Sequence, residues 1–97
     1  KKIDIALPNS VVGNKKIVLS DIDIVNHANS VKYMEWCLDT LQPELLLKQN
    51  ILEMEVNYLK EVAYNETVTI KEHKELNASI FTVSVEEKVC FAMEIKW

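Results

Sequence analysis

The segment between residues 20 and 36 holds most of the side chains in this sequence that are suited to chemistry. Two carboxylates, a histidine and two asparagines fall close together in it: Asp21, Asp23, Asn26, His27 and Asn29. An apolar run precedes them and a helical pattern follows, so we expect a loop that exposes these groups. Asp23 and His27 can act as acid, base or nucleophile. This density indicates a functional site rather than an ordinary solvated surface.

The helix that follows the loop offers a second chemical feature at its first turn. Its free backbone N–H groups, together with the positive end of the helix dipole, stabilise an anion or a developing oxyanion. Asn29 or Ser30 is suited to cap this helix, because either side chain can accept a hydrogen bond from those N–H groups. Acid–base groups beside such a helix start favour attack on a carbonyl group.

A small α+β fold must position these groups. The pattern predicts a lead-in segment over residues 1–14, a first strand over 15–21 and a central helix over 29–42. Apolar residues then alternate from 51 to 97, which predicts a four-stranded antiparallel meander. The helix is apolar around most of its circumference. We therefore expect one domain, 1–97, in which the sheet curls around the helix.

Composition and charge argue against several classes of protein. The chain has 97 residues, of which 48% are hydrophobic, and a net charge of −4. Nucleic-acid binders normally carry a basic face, and no apolar run reaches the roughly 20 residues needed to span a bilayer. Cys37 and Cys90 lack metal-binding spacing. We expect reduced, buried thiols in a cytoplasmic protein without a cofactor.

Two motifs resemble one known family. The first runs Asp21-Ile22-Asp23-Ile24-Val25-Asn26-His27-Ala28-Asn29-Ser30-Val31-Lys32-Tyr33-Met34-Glu35-Trp36. It resembles the D-x-D-x-N-x-H-V-N-N-V-K-Y-x-x-W loop of hotdog-fold thioesterases, most closely the C-terminal hotdog domain of acyl-acyl carrier protein thioesterases. The second, residues 54–62, is similar to their L-E-Y-R-R-E-C strand. The resemblance covers roughly residues 15–97 and includes the order of the elements.

The resemblance implies a hotdog fold that hydrolyses fatty acyl thioesters to a free fatty acid and a carrier thiol. The residues it implies as catalytic are Asp23, His27 and Glu61, and those near the substrate are Asn26, Asn29 and Ser30. For Asn29, as for Asp21, fixing the loop and capping the helix is the favoured interpretation; Asn26 stays open between loop geometry and oxyanion contact. The implied partners are an acyl carrier protein or CoA thioester, and a second hotdog, either in a homodimer or as another domain.

Two positions depart from the family pattern. Val25 stands where the family has the asparagine two residues before the histidine, and Val62 replaces its cysteine after the glutamate. A cysteine nucleophile at position 62 is thereby excluded. Two alternatives remain: a stand-alone acyl-CoA thioesterase, and a hotdog with weak or no catalysis that binds acyl chains or completes an assembly. Val25 favours the second. Tyr33, Met34 and Trp36 are predicted to pack in the core rather than to line an acyl channel.

Overall fold

The computed structural model describes residues 2–23, 28–48 and 50–97, which form five β-strands and two α-helices. The strands are β1 (Ser10–Lys16), β2 (Glu53–Tyr58), β3 (Thr67–Glu75), β4 (Ala78–Val85) and β5 (Lys88–Lys96). The helices are α1 (Ser30–Leu38) and α2 (Pro43–Lys48), and a 3-10 turn spans Leu19–Asp21. The strands make one antiparallel sheet in the order β1-β3-β4-β5-β2.

The core lies between α1 and one face of the sheet. Alternate strand residues point to that face, and the buried ones are Val68, Ile70, Phe81, Val83, Phe91, Met93 and Ile95. From α1, Tyr33, Trp36 and Cys37 complete this core, whereas Val31 is half exposed. Full burial of a side chain such as Phe91 contributes about 1.5–3 kcal/mol. The predicted α+β hotdog fold is confirmed.

The first strand differs from the prediction. It was expected over 15–21 but spans Ser10–Lys16, and the segment interpreted as a turn in the lead-in forms most of it. The reason is tertiary: β1 pairs with β3 along an edge of the sheet, with an irregularity between Val11 and Gly13. An edge strand tolerates a glycine at such a bulge. The turn signal of Gly13 and Asn14 is therefore overridden by pairing.

The predicted meander over 51–97 is also wrong in one respect. Only β3, β4 and β5 are joined as neighbours in chain order, whereas β2 pairs with β5 at the opposite edge of the sheet. Because β1 occupies the free side of β3, β2 has only the outer side of β5 to join. The chain must then cross from the β2 edge, past β5 and β4, to β3 between Tyr58 and Thr67. This crossing segment lies near the start of α1 and forms part of the candidate site.

The central helix is shorter than the predicted 29–42. It ends at Leu38, with Asp39 as C-cap, and the Thr40 hydroxyl donates a 2.7 Å hydrogen bond to the Cys37 carbonyl. That bond satisfies a carbonyl that the helix itself leaves unpaired. Within the described ranges, no helix has the length and apolar character required to cross a membrane.

The residues before β1 cover part of the outer face of the sheet. Ile3 is buried against Ile80 and Ala92, which point away from α1. Its N–H donates to Asn57 Oδ1 at 3.1 Å, so this N-terminal strap is also attached to β2. The strap explains why Ile80 and Ala92 are buried although they lie on the outer face.

Candidate active site

A cavity of about 410 Å³ lies where the start of α1 meets the end of β2. It is lined by Asp23, Ala28, Ser30, Tyr33, Tyr58, Leu59, Lys60 and Glu61. Two segments that are distant in the sequence form its walls: the loop and first turn of α1 on one side, and residues 58–61 on the other. The structure therefore brings Asp23 and Glu61 to the same cavity, where both side chains are exposed.

Three hydrogen bonds join the two walls. The Ala28 N–H donates to the Val62 carbonyl at 2.7 Å, and the Val62 N–H donates to Tyr33 Oη at 3.0 Å. The Tyr58 hydroxyl donates to the Ser30 carbonyl at 3.2 Å. Each bond has a backbone group on at least one side, and the two side chains that take part are tyrosines with rigid rings. The relative position of the walls therefore does not depend on long flexible side chains.

The second wall is also attached to the sheet. The N–H groups of Leu59 and Lys60 both donate to the Cys90 carbonyl, at 2.9 and 3.1 Å. This shared acceptor extends the attachment of β2 to β5 past the last paired residue, Tyr58. Glu61 follows directly, so the residues on both sides of it are fixed: Lys60 by the Cys90 carbonyl, and Val62 by its hydrogen bonds to Ala28 and Tyr33.

Asp21 organises the loop that carries Asp23. Its side chain is buried and accepts a 3.0 Å hydrogen bond from the Val18 N–H, while its carbonyl accepts from the Asn29 N–H at 2.7 Å. Lys15 Nζ lies 3.2 Å from the same carboxylate. Burial alone raises the pKa of Asp21, but the Val18 bond and the charge of Lys15 outweigh it and hold the pKa below 3.8. Asp21 is thus an ionised structural anchor.

The start of α1 is capped as expected. Asn29 is the N-cap, and its Oδ1 accepts from the Val31 N–H at 3.1 Å. Ser30, the first helical residue, lines the cavity. The Lys32 N–H donates to the Asn29 carbonyl at 2.9 Å, which leaves the Ser30 N–H as the first-turn donor that the helix and its cap do not use. The cavity is therefore bordered by a helix end suited to stabilise negative charge.

An aromatic cluster forms the inner wall. The Tyr33 ring stacks on Phe91 at a centroid distance of 5.3 Å, with Trp36 at 5.2 Å and Tyr58 edge-on at 5.9 Å. Trp36 and Phe91 belong to the buried core, as predicted for Trp36, whereas Tyr33 lies in the core and also borders the cavity. Burial raises the pKa of Tyr33, although the bond from Val62 acts in the opposite direction.

The sequence-predicted residues fall into three groups. Asp23, Glu61 and Ser30 line the cavity, and Asn29 caps the helix beside it. Asn26 and His27, like Val25, lie outside the described residues. Sequence reasoning missed Tyr58 and Leu59 as wall residues. Tyr58 ends an alternating apolar strand and Leu59 follows it, and that pattern gives no sign that the end of the strand reaches the helix start.

Several solved structures with the same fold are described as thioesterases. An acyl-ACP thioesterase from Bacteroides thetaiotaomicron superposes with a TM-score of 0.85 at 25% identity, covering 98% of this chain and 39% of that protein. A putative oleoyl thioesterase from Lactobacillus plantarum gives 0.80 at 25% identity, covering 92% and 38%. The 12:0-ACP thioesterase of Umbellularia californica gives 0.84 at 15% identity, covering 100% and 38%, which shows a shared fold.

This chain spans about two fifths of the length of those three proteins. Comparison with curated proteins gave no match. A family model described as "Acyl-ACP thioesterase C-terminal domain" matches residues 8–97, which include the whole cavity wall. The chain therefore belongs to the acyl-ACP thioesterase C-terminal domain family.

Proposed function

We propose that this domain hydrolyses fatty acyl thioesters and that the cavity beside α1 is where it does so. The observation that carries the proposal is the convergence of Asp23 and Glu61 on one cavity bordered by a helix start. A carboxylate can serve as the base that activates water for attack on a thioester carbonyl, and a helix start can stabilise the oxyanion that forms. Membership of the family supports the same reaction.

In the proposed reaction, a carboxylate takes a proton from water as the water oxygen bonds to the carbonyl carbon. The carbonyl oxygen becomes an oxyanion, which the Ser30 N–H and the positive end of the α1 dipole stabilise. Collapse of this intermediate breaks the C–S bond, and the thiolate leaving group receives the proton. We assign the acid–base work to Asp23, Glu61 and His27, with Asn26, Asn29 and Ser30 as the residues beside the substrate.

Paired substitutions test these assignments. Asp23→Asn and Glu61→Gln remove each charge with little change of shape, and we expect each to lower kcat by about 100-fold. Asp4→Asn and Glu87→Gln are the matched controls, because both carboxylates are exposed and neither lines the cavity. If the two groups act on one reaction, their losses will not be additive in the double variant. Unchanged activity in both single variants would refute the proposal.

The carrier of the acyl group is the finer part of the proposal. We favour an acyl carrier protein thioester over a CoA thioester, because the matching family model and the Bacteroides thioesterase both carry acyl-ACP in their descriptions. Measuring kcat/KM for one acyl chain on the two carriers separates them. A higher value for the CoA thioester would favour the stand-alone acyl-CoA thioesterase.

Val25 gives specific support to a second candidate, a hotdog that binds acyl chains with weak or no catalysis. A valine side chain cannot form a hydrogen bond, whereas the family pattern has an asparagine at this position. Val25→Asn is the direct test, and we expect it to raise kcat if the weakness lies there. Acyl-chain binding without hydrolysis by both the wild type and this variant would establish the second candidate.

Pairing with another hotdog is proposed along β2. This edge strand has β5 as its one neighbour in the described sheet, and it presents partly exposed apolar side chains at Met54 and Tyr58, with Leu52 72% exposed before it. An open apolar edge favours a partner strand. The partner is a second copy of this domain or a further hotdog domain. Met54→Glu is expected to weaken self-association in light scattering, whereas Leu76→Glu, 95% exposed at a distant turn, is not.

A cytoplasmic location is proposed from the cysteines. Cys37 and Cys90 are both free and buried, as expected for structural thiols in a reducing compartment. Localisation of a tagged chain in its source cells would test this placement.

A further inference from the structure

The backbone N–H of Val62, the residue after Glu61, donates to a side chain rather than to a backbone carbonyl. Val62 is fully buried, and its N–H donates to the Oη of Tyr33, a residue that is 4% exposed. A buried N–H almost always has an acceptor, because leaving it unpaired costs about 1–3 kcal/mol. Val62 lies outside the strands, in the segment that leads from β2 to β3. Its N–H acceptor is a helix side chain, at the residue that follows a proposed catalytic carboxylate.

The acceptor is held rigidly. The Tyr33 ring is stacked on Phe91 and flanked by Trp36 and Tyr58, so its hydroxyl has little freedom to move with respect to the core. Burial keeps the pKa of this hydroxyl raised, so that it remains uncharged at neutral pH. The Val62 carbonyl is bound independently by the Ala28 N–H. Both backbone groups of Val62 are thus bound to residues at the start of α1 or just before it.

We propose that Tyr33 is a positioning residue for Glu61. Its hydroxyl fixes the Val62 backbone, and through it the direction from which the Glu61 carboxylate enters the cavity. The inference rests on the proposed thioesterase function, since the value of this placement lies in the chemistry assigned to Glu61. Displacement of a catalytic group by about 1 Å can cost on the order of 100-fold in rate, so one buried hydrogen bond at this point has a large effect.

Tyr33→Phe is the test, because it keeps the ring and removes only the hydroxyl. We expect kcat to fall by about 10- to 100-fold while KM changes by less than about threefold. Thr40→Val is the matched control: it removes a 2.7 Å hydroxyl bond at the other end of α1, far from the cavity lining, and should keep kcat within about twofold of wild type. A Tyr33→Phe enzyme with wild-type kcat would overturn the proposal.

A second measurement separates this inference from the proposed function. NMR follows the Val62 amide exchange rate and the Glu61 carboxyl carbon shift without any turnover. In Tyr33→Phe the Val62 amide should exchange at least about tenfold faster and the Glu61 carboxyl signal should move, with neither change in Thr40→Val. Rapid exchange of Val62 in the wild type, or an unmoved Glu61 signal in Tyr33→Phe, would overturn the positioning role. If the wild type hydrolyses no thioester while Tyr33→Phe still shows these NMR changes, the proposed function alone is refuted.

Discussion

Removing the charge of Asp21 is the perturbation whose cost follows most directly from the structure. In Asp21→Asn the side chain keeps its shape and one oxygen that can accept from the Val18 N–H, now 3.0 Å away. The variant loses the ionic character of that bond and the attraction to Lys15 at 3.2 Å. The backbone bond from Asn29 to the residue 21 carbonyl does not depend on the side chain.

The expected loss is about 1–2 kcal/mol of unfolding free energy. A hydrogen bond to a charged group contributes about 1.5–3 kcal/mol, against about 0.5–1.5 kcal/mol for a neutral one, so the change of charge costs about 1 kcal/mol. The Lys15 side chain is one-third exposed, and an ion pair so solvated adds at most about 0.5–1 kcal/mol. The control is Asp4→Asn, since Asp4 accepts a similar local bond from Ala6 but is exposed. Its cost should stay within about 0.5 kcal/mol.

The pH dependence has a definite sign. Because the folded-state pKa of Asp21 is depressed, its contribution is complete above the unfolded-state value of about 3.9 and is lost as the pH falls through the folded-state value. Urea unfolding of wild type and Asp21→Asn should therefore show the full gap near neutral pH and a shrinking gap under acid conditions. Equal stability at neutral pH, or a gap that widens on acidification, would refute the reasoning.

Three further outcomes are expected. Asn29→Ala removes the N-cap bond to Val31 and should cost about 1 kcal/mol by urea unfolding, whereas Asn29→Asp should be nearly neutral. Burial and the charge of Glu72 raise the pKa of the Cys37 thiol to about 12. Cys37 should therefore resist iodoacetamide in the native protein and react only on unfolding, which mass spectrometry can follow. Glu86 and Glu87 have φ of 47° and 71° in the two-residue turn between β4 and β5. Because Asn-Gly is preferred at these positive φ values, Glu86→Asn with Glu87→Gly should raise the unfolding free energy by about 1 kcal/mol. A lower unfolding free energy would contradict the turn assignment.

Local chemistry made the start of α1 predictable. Asn29 was one of two residues expected to cap the helix, and Asp21 was expected to fix the loop; the structure confirms both. These interactions join residues within a few positions, so the sequence contains nearly all the information they need. The apolar face shared by Phe81, Phe91 and their neighbours was predictable for a similar reason, because strand alternation follows from backbone geometry alone.

The partners of the strands were not predictable in the same way. An alternating pattern shows which face of β2 is apolar but not whether its neighbour is β3 or β5. That choice depends on β1 occupying one side of β3, and β1 itself was misplaced because Gly13 and Asn14 indicate a turn locally. The wall formed by Tyr58 and Leu59 depends on this pairing. The part of the site that sequence reasoning missed is therefore the part that non-local topology creates.

The attachment of residues 59 and 60 to the Cys90 carbonyl has a consequence for the order of assembly. A ribosome releases the chain from its N-terminus onward, so the loop with Asp23, helix α1 and Glu61 all emerge before Cys90 does. Until β5 has emerged and paired, the backbone before Glu61 has no acceptor to hold it. The three bonds between the cavity walls join residues that emerge earlier, but the attachment of residues 59 and 60 to the sheet has to wait for β5. A nascent chain that stalls short of β5 would contain both proposed catalytic carboxylates without the sheet attachment that holds the backbone before Glu61.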